Sequence, residues 1–150
     1  MAPIFSRMKW SWRGSIPIPA NQLNLDLTLL GGQSFRWNRF ESNGEPKKWM
    51  GVAYGSYWEL TQTNDAVLYE VHSIPETEDG TTFSAEYFKS LLLKYFRIDF
   101  DLNANMEKWK LAHVHFSEAS EKFKAVRVLN QEPLENILSF ICSQNNHIRR

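Results

Sequence analysis

The 150-residue sequence contains one cysteine, Cys142, so an internal disulfide and a cysteine-rich metal site are both excluded. Histidine is almost as scarce, with four residues at positions 72, 113, 115 and 147. His113 and His115 lie two apart, but no cysteine, carboxylate or further histidine at ligand spacing completes a metal set, and both read as surface residues. Net charge is absent too, because seventeen basic and seventeen acidic residues cancel. That balance disfavours a wholesale polyelectrolyte binder and leaves room for a local basic patch. No run approaches the roughly 20 apolar residues of a membrane span, and the first residues lack the apolar core of a secretory signal. There is no Walker loop, no dinucleotide fingerprint and no nucleophile elbow.

What the sequence has in excess is aromatic side chain: 14%, with six Trp and ten Phe. Hydrophobic residues at 43% and charged residues at 23% match an ordinary folded domain rather than a disordered chain. A chain of this size accommodates one domain, or one domain and part of another. Trp37, Trp49, Tyr57 and Trp58 fall in extended segments. They fit either a sheet core or a base-stacking platform, and aromatics more often dominate cores.

No acid precedes Asp26, whereas Arg7, Lys9 and Arg13 are basic. Residues 1–15 therefore read as a flexible basic arm, compatible with a transit segment, with an arm near nucleic acid or with a merely soluble tail. Trp10 and Trp12 are unusual in a tail and suggest that it packs somewhere. Ile16-Pro17-Ile18-Pro19 reads as an extended entry segment, since proline supplies no ladder donor. Leu23, Leu25, Leu27 and Leu29 alternate with polar residues, which predicts a strand with one buried face. Gly31-Gly32 interrupts it as a bulge or tight turn, or as a place where backbone approaches a ligand closely.

Gln33 to Phe40 resumes an extended pattern, and Asn43-Gly44 marks a turn. Lys48 to Tyr54 and Tyr57 to Thr63 predict a hairpin around Gly55-Ser56, followed by a strand from Ala66 to His72. Connections this short require an antiparallel meander. Ile74 to Thr82 reads as a solvated loop. Ser84 fits a helix N-cap, with Phe83 and Phe88 spaced as a hydrophobic staple. Phe88, Leu91, Leu92, Tyr95 and Phe96 then share the helical face expected to dock on the sheet. Two shorter helices are expected from Met106 to Leu111 and from Phe116 to Phe123.

Glu132-Pro133 opens a further helix, with proline in the first turn and acids where the helix dipole favours them. Leu134, Ile137, Leu138, Ile141 and Cys142 form one stripe, widened by Phe140 and Ile148, so a helix buried on most sides is expected. Its partners are expected in another chain or in residues beyond these, and the sequence reads as part of a larger protein. Cys142 on that stripe reads as a buried structural thiol. The polar run Ser143-Gln144-Asn145-Asn146-His147, followed by Ile148-Arg149-Arg150, fits an interhelical turn or a set of amides and arginines that contact base edges and phosphates.

The runs Gly32-Gln33-Ser34-Phe35-Arg36-Trp37 and Tyr57-Trp58-Glu59-Leu60-Thr61-Gln62-Thr63 resemble the amino-terminal domain of the eukaryotic 8-oxoguanine DNA glycosylases. Val126-Arg127-Val128-Leu129 through Gln131-Glu132-Pro133 resembles the entry into their helical domain. Phe140-Ile141-Cys142-Ser143-Gln144-Asn145-Asn146-His147-Ile148 is similar to their helix-and-loop signature. The resemblance extends from about Ile16 to Arg150 in unbroken order. It implies an α+β fold: a twisted antiparallel sheet of the TBP-like kind with packed helices, then the start of an all-α helix–hairpin–helix domain. The corresponding division is 16–115 for the sheet domain and 116–150 for the beginning of the helical one.

The function implied is base excision repair, in which 8-oxoguanine opposite cytosine is flipped out of duplex DNA and removed, with an associated β-elimination lyase step. By resemblance, the Gly32 carbonyl accepts from the N7–H that oxidation creates. Asn145 enters the space left by the flipped base, and with Arg150 it contacts the estranged cytosine. Asn146 orders the loop. His147 stands where the family often has asparagine, and Arg149 where it often has a small residue, so both are DNA-proximal departures. The family's nucleophilic lysine and assisting aspartate are expected downstream, which leaves no catalytic residue in these 150 and predicts that they are inactive alone. The alternative is a non-catalytic DNA-binding or regulatory isoform. No cofactor, metal or membrane is implied, and the complete protein is expected to be a monomer. Nuclear residence follows from the substrate, with the acid-free start also compatible with mitochondria.

Overall fold

The computed structural model of the chain describes residues 12–73 and 83–144. Five strands and five helices follow in the order β1 (Trp12–Ile16), α1 (Leu25–Leu29), β2 (Trp37–Phe40), β3 (Lys48–Ala53), β4 (Ser56–Gln62), β5 (Val67–Ser73), α2 (Ala85–Tyr95), α3 (Leu102–Ala112), α4 (Val114–Lys122) and α5 (Pro133–Ser143). The strands form one antiparallel sheet in the order β1-β5-β4-β3-β2. Strands β2 to β5 are the expected meander. β3 and β4 turn at Tyr54-Gly55, where both residues have positive φ (50° and 70°), the geometry of a type I′ hairpin. The two-residue loop sets Ala53 opposite Ser56.

Two segments differ from the sequence-based expectation. Trp12 to Ser15, expected in a flexible arm, belong to edge strand β1, paired with β5 from Trp12↔Val71 to Ile16↔Val67. Trp12 packs its ring 5.3 Å from that of Phe88 on α2, which accounts for a tryptophan so near the start. Residues 1–11 and the expected loop at 74–82 lie outside the described residues.

The second correction is α1, a short helix where alternating leucines predict a strand. The Asn24 side chain accepts from the Leu27 N–H at 3.0 Å, and Gln62 accepts from the Leu25 N–H at 3.1 Å. Leu25, Thr28 and Leu29 are its buried positions, a helical spacing that the period-two leucines happen to satisfy at their ends. Asn24 as an N-cap, with Asp26 in the first turn, is the local signal that outweighs the alternation.

One sheet face carries Trp37, Trp49, Trp58, Leu60, Val67, Tyr69 and Val71, all buried. The aromatics are therefore core. Against them α2 presents Phe88, Leu92, Tyr95 and Phe96, as its periodicity requires. Ser84 caps α2 through the Tyr87 N–H at 3.2 Å, and the Phe83 and Phe88 rings lie 5.8 Å apart as a staple. α3 and α4 pack on each other beside this core, with the Trp109 ring between Phe100 and Phe116. His113 and His115 are exposed. No helix among the described residues is long and apolar enough to cross a membrane.

At Gly51 on β3 the core closes tightly, because an added Cβ would stand 2.5 Å from the Trp37 indole and 2.6 Å from the Arg36 carbonyl oxygen. Gly51→Ala is expected to lower stability by about 1–3 kcal/mol through overpacking. The urea midpoint of the purified chain measures this, and an unchanged midpoint would show that the Trp37 ring has room to move.

Candidate functional site

Behind the sheet's β2 end, the segment 30–38 and helix α5 form the two walls of an open groove of about 960 Å³. Gly32, Ser34, Phe35 and Arg36 line the first wall; Glu135, Leu138, Cys142 and Ser143 line the second. The Arg36 guanidinium bridges them by an ion pair to Glu135 at 2.8 Å, and the Phe35 ring meets Phe140 edge-on at 5.5 Å. The ionisable groups of the lining are Arg36, Glu132, Glu135 and Cys142, with no lysine. No cluster of His, Cys, Asp or Glu among the described residues could hold a metal ion.

Gly32 adopts φ +84°, the left-handed region that side chains with a Cβ occupy only at a cost. A Cβ there would meet nothing within 4 Å, so conformation rather than crowding calls for glycine. Among the described residues, none donates a hydrogen bond to the Gly32 carbonyl. The chain thus brings an unengaged backbone acceptor to the groove, at a point where a bound ring can approach the backbone closely.

The neighbouring residue, Gln33, holds this loop in place. Its Nε2 donates to the Arg127 carbonyl at 2.8 Å, and its Oε1 accepts from the Leu129 N–H at 3.0 Å. Gln131 returns a hydrogen bond from its Nε2 to the Gln33 carbonyl, and the same Nε2 donates to Asn136 on α5 at 3.3 Å. Beneath them lies Arg127, only 4% exposed. Its guanidinium donates to the carbonyls of Gln22 (2.8 Å), Arg97 (2.7 Å) and Phe100 (3.1 Å). Burial pulls its pKa below the ordinary arginine value, with Asp101 and Asp99 acting against that shift; guanidinium remains charged at neutral pH regardless.

A second set of contacts fixes the β2 end of the groove. Trp37 donates from Nε1 to the Tyr95 hydroxyl at 2.9 Å. Burial raises the Tyr95 pKa, partly opposed by its hydrogen bonds with Trp37 and Ser34, so the phenol stays neutral. Asn130 donates its N–H to the Tyr95 carbonyl at 2.8 Å, and its own carbonyl accepts from the Tyr54 hydroxyl. Asp26 of α1 accepts from Trp49 Nε1 at 3.1 Å and from Arg39 at 3.2 Å, tying α1 to β2 and β3.

Of the residues singled out from sequence, Gly32 lies in the groove. Cys142 lies there as well, but it is exposed, which corrects the expectation of a buried thiol. The reason is the state of α5: Leu134, Ile137, Leu138 and Ile141 are more than half exposed. The helix forms as expected, with Glu132 as its N-cap, but nothing among the described residues covers its apolar stripe. Asn145, Asn146, His147, Arg149 and Arg150 lie outside the described residues. Gln33 and Arg127 were legible only as members of longer runs. For Arg127 the available signal was a lone cation between Val126 and Val128 in an apolar run.

A family model described as the 8-oxoguanine DNA glycosylase N-terminal domain matches residues 15–137. The N-glycosylase/DNA lyase of Saccharomyces cerevisiae is 31% identical over 147 residues, an alignment covering 91% of this chain and 36% of that protein. The structure of MBOgg1 with a low-affinity DNA ligand superposes with a TM-score of 0.71 at 25% identity, over 91% of this chain and 42% of that one. The Clostridium acetobutylicum 8-oxoguanine glycosylase/lyase, in complex with double-stranded DNA containing cytosine opposite 8-oxoguanine, gives 0.65 at 27% identity, over 85% and 39%. The chain spans about a third of the length of the curated relatives it matches.

Replacing Arg127 by Ala removes its hydrogen bonds to the carbonyls of Gln22, Arg97 and Phe100; Arg97 keeps a bond from the Phe100 N–H, and a buried acceptor left unpaired costs about 1–3 kcal/mol. Arg127→Lys keeps the charge, but an ammonium lacks the fork that spans three acceptors. Both variants are expected to shift the denaturation midpoint well down, Ala more than Lys; wild-type midpoints would show that this guanidinium is dispensable.

Proposed function

The chain belongs to the 8-oxoguanine DNA glycosylase N-terminal domain family, and from that membership we propose that it serves in the excision of 8-oxoguanine paired with cytosine in duplex DNA. The observation that carries the reading is Gly32, a left-handed glycine on the groove whose carbonyl has no donor among the described residues. Chemistry on a base requires that it leave the stack. An 8-oxoguanine flipped into the groove offers an N7–H to this carbonyl. Guanine offers a lone pair at N7 instead, so two acceptors would face each other. One atom thereby separates the lesion from the normal base, by a hydrogen bond on one side and a repulsion on the other.

Asn145 and Arg150 are proposed to engage the cytosine left behind, so that excision depends on the correct partner base. Asn146 is proposed to order their loop, with His147 and Arg149 close to the DNA. Attack on the sugar C1′ and the lyase step need an amine nucleophile that forms a Schiff base. No lysine lines the groove, and that role belongs to residues outside these 150, with an aspartate to assist it. The 150-residue chain alone is therefore inactive under this reading. The DNA substrate favours residence in the nucleus, and in mitochondria if the basic start acts as a transit segment.

A chimera tests this: the chain is joined to the part of the S. cerevisiae enzyme that follows the matched segment. Duplexes carrying 8-oxoguanine opposite each of the four bases are the substrates. The chimera is expected to release the oxidised base, preferring cytosine opposite, while the 150-residue chain alone releases none. Asn145→Ala is expected to relax the opposite-base preference, by about tenfold for one lost contact to a base edge. Base release by the chain alone would overturn the division of labour, and an unchanged cytosine preference in Asn145→Ala would remove that residue from the site.

A further inference from the structure

We infer that Gln33 is a positioning residue for lesion discrimination, holding the Gly32 carbonyl through its side-chain clasp on Arg127 and Leu129; the inference rests on the lesion-reading role of Gly32 given above. Gly32 has the widest ψ freedom of any residue type, and its carbonyl orientation is set by ψ. Something adjacent must remove that freedom if one carbonyl is to distinguish N7–H from a bare N7. Gln33 shares its peptide unit with Gly32 and is held on two sides.

On one side, the Gln33 amide contacts two residues that flank Val128, donating to the Arg127 carbonyl at 2.8 Å and accepting from the Leu129 N–H at 3.0 Å. One residue of a neighbouring strand makes the same pair of bonds through its N–H and C=O, so this side chain substitutes for a missing strand beside residues 126–131. On the other side, the Gln33 carbonyl is held by Gln131, whose amide also reaches Asn136 on α5. The loop on one wall of the groove is thus registered against the helix on the other. Arg127, whose side chain bonds three carbonyls, makes the platform rigid under the clasp.

The amide chemistry makes the inference specific. Only a group with one donor and one acceptor satisfies both Arg127 and Leu129. In Gln33→Glu, an ionised carboxylate keeps the bond from Leu129 but turns a second acceptor toward the Arg127 carbonyl. Protonation restores the donor, and a half-buried carboxyl facing a carbonyl holds its proton above the usual range. Gln33→Ala has neither group at any pH.

The chimera described above, with single-turnover excision on duplexes carrying 8-oxoguanine or guanine opposite cytosine, reads the effect as a ratio of rates. Gln33→Ala is expected to lower the ratio by about ten- to a hundredfold, the scale of a ~1 Å misplacement in a reacting site. Gln33→Glu is expected to match Ala at about pH 8 and to regain much of the wild-type ratio toward about pH 5, where its carboxyl carries a proton. A purely structural loss would lower both rates together and leave the ratio intact, and that result overturns the inference. So does a Gln33→Glu ratio that stays flat across pH. If Gln33→Ala fails to fold, the pH series of Gln33→Glu decides alone. A wild-type chimera that does not prefer the oxidised base overturns the reading of Gly32 itself, which separates that failure from a failure of Gln33.

Discussion

Residues 126–131 run between α1 and α2 without joining a helix or a strand, so their backbone donors and acceptors have to be satisfied by groups brought from elsewhere. Thr28 accepts from the Arg127 N–H at 3.3 Å, Gln33 serves Arg127 and Leu129, and Asn130 pairs with Tyr95 through backbone and with Tyr54 through a side chain. Arg127 returns the exchange by holding carbonyls from the 97–100 turn and from Gln22. Remove this segment and α1, the Gly32 loop, the end of α2 and the start of α5 lose their common reference. A network of this kind is worth more than separate pairs because each member is held by the others, and a half-satisfied version would be worse than an apolar one.

The sheet supplies rigidity to that junction rather than contacts to a ligand. Trp37 and Trp49 are buried on its core face and spend their indole N–H groups on Tyr95 and Asp26. Those two bonds connect β2 and β3 to α2 and α1. An aromatic excess that suits a stacking platform in composition therefore acts here as a packed core with polar handles directed at neighbouring helices.

Much of the scaffold was legible because its signals are local. The hairpin at Tyr54-Gly55, the Ser84 cap with its Phe83–Phe88 staple and the apolar face of α2 each follow from a few adjacent residues. The strand expected at 23–29 failed because alternation over seven residues cannot exclude a short capped helix, and the capping groups include Gln62, distant in sequence. β1 was missed since an edge strand owes its existence to β5 as much as to its own composition. At the site, the left-handed Gly32 was legible as a glycine at a break in the pattern. The clasp was not: Gln33 meets Arg127 and Leu129 across more than ninety positions, a separation at which single-sequence periodicity says nothing.

The balanced charge takes on a different meaning once its geometry is known. Arg13 pairs with Glu70, Arg36 with Glu135, Arg39 with Asp26 and Glu41, and Lys48 with Glu59. Exposed pairs of this kind add little stability, about 0–1 kcal/mol each, but they cancel the fields that would attract phosphate at the sheet and the nearer wall of the groove. Affinity for a nucleic-acid backbone scales with the number of uncompensated cations. A groove whose lining sets Arg36 against Glu132 and Glu135 is thus poorly suited to gathering a polyanion. Holding the duplex and reading the base make opposite demands on local charge, and under the proposed function these described residues suit the second.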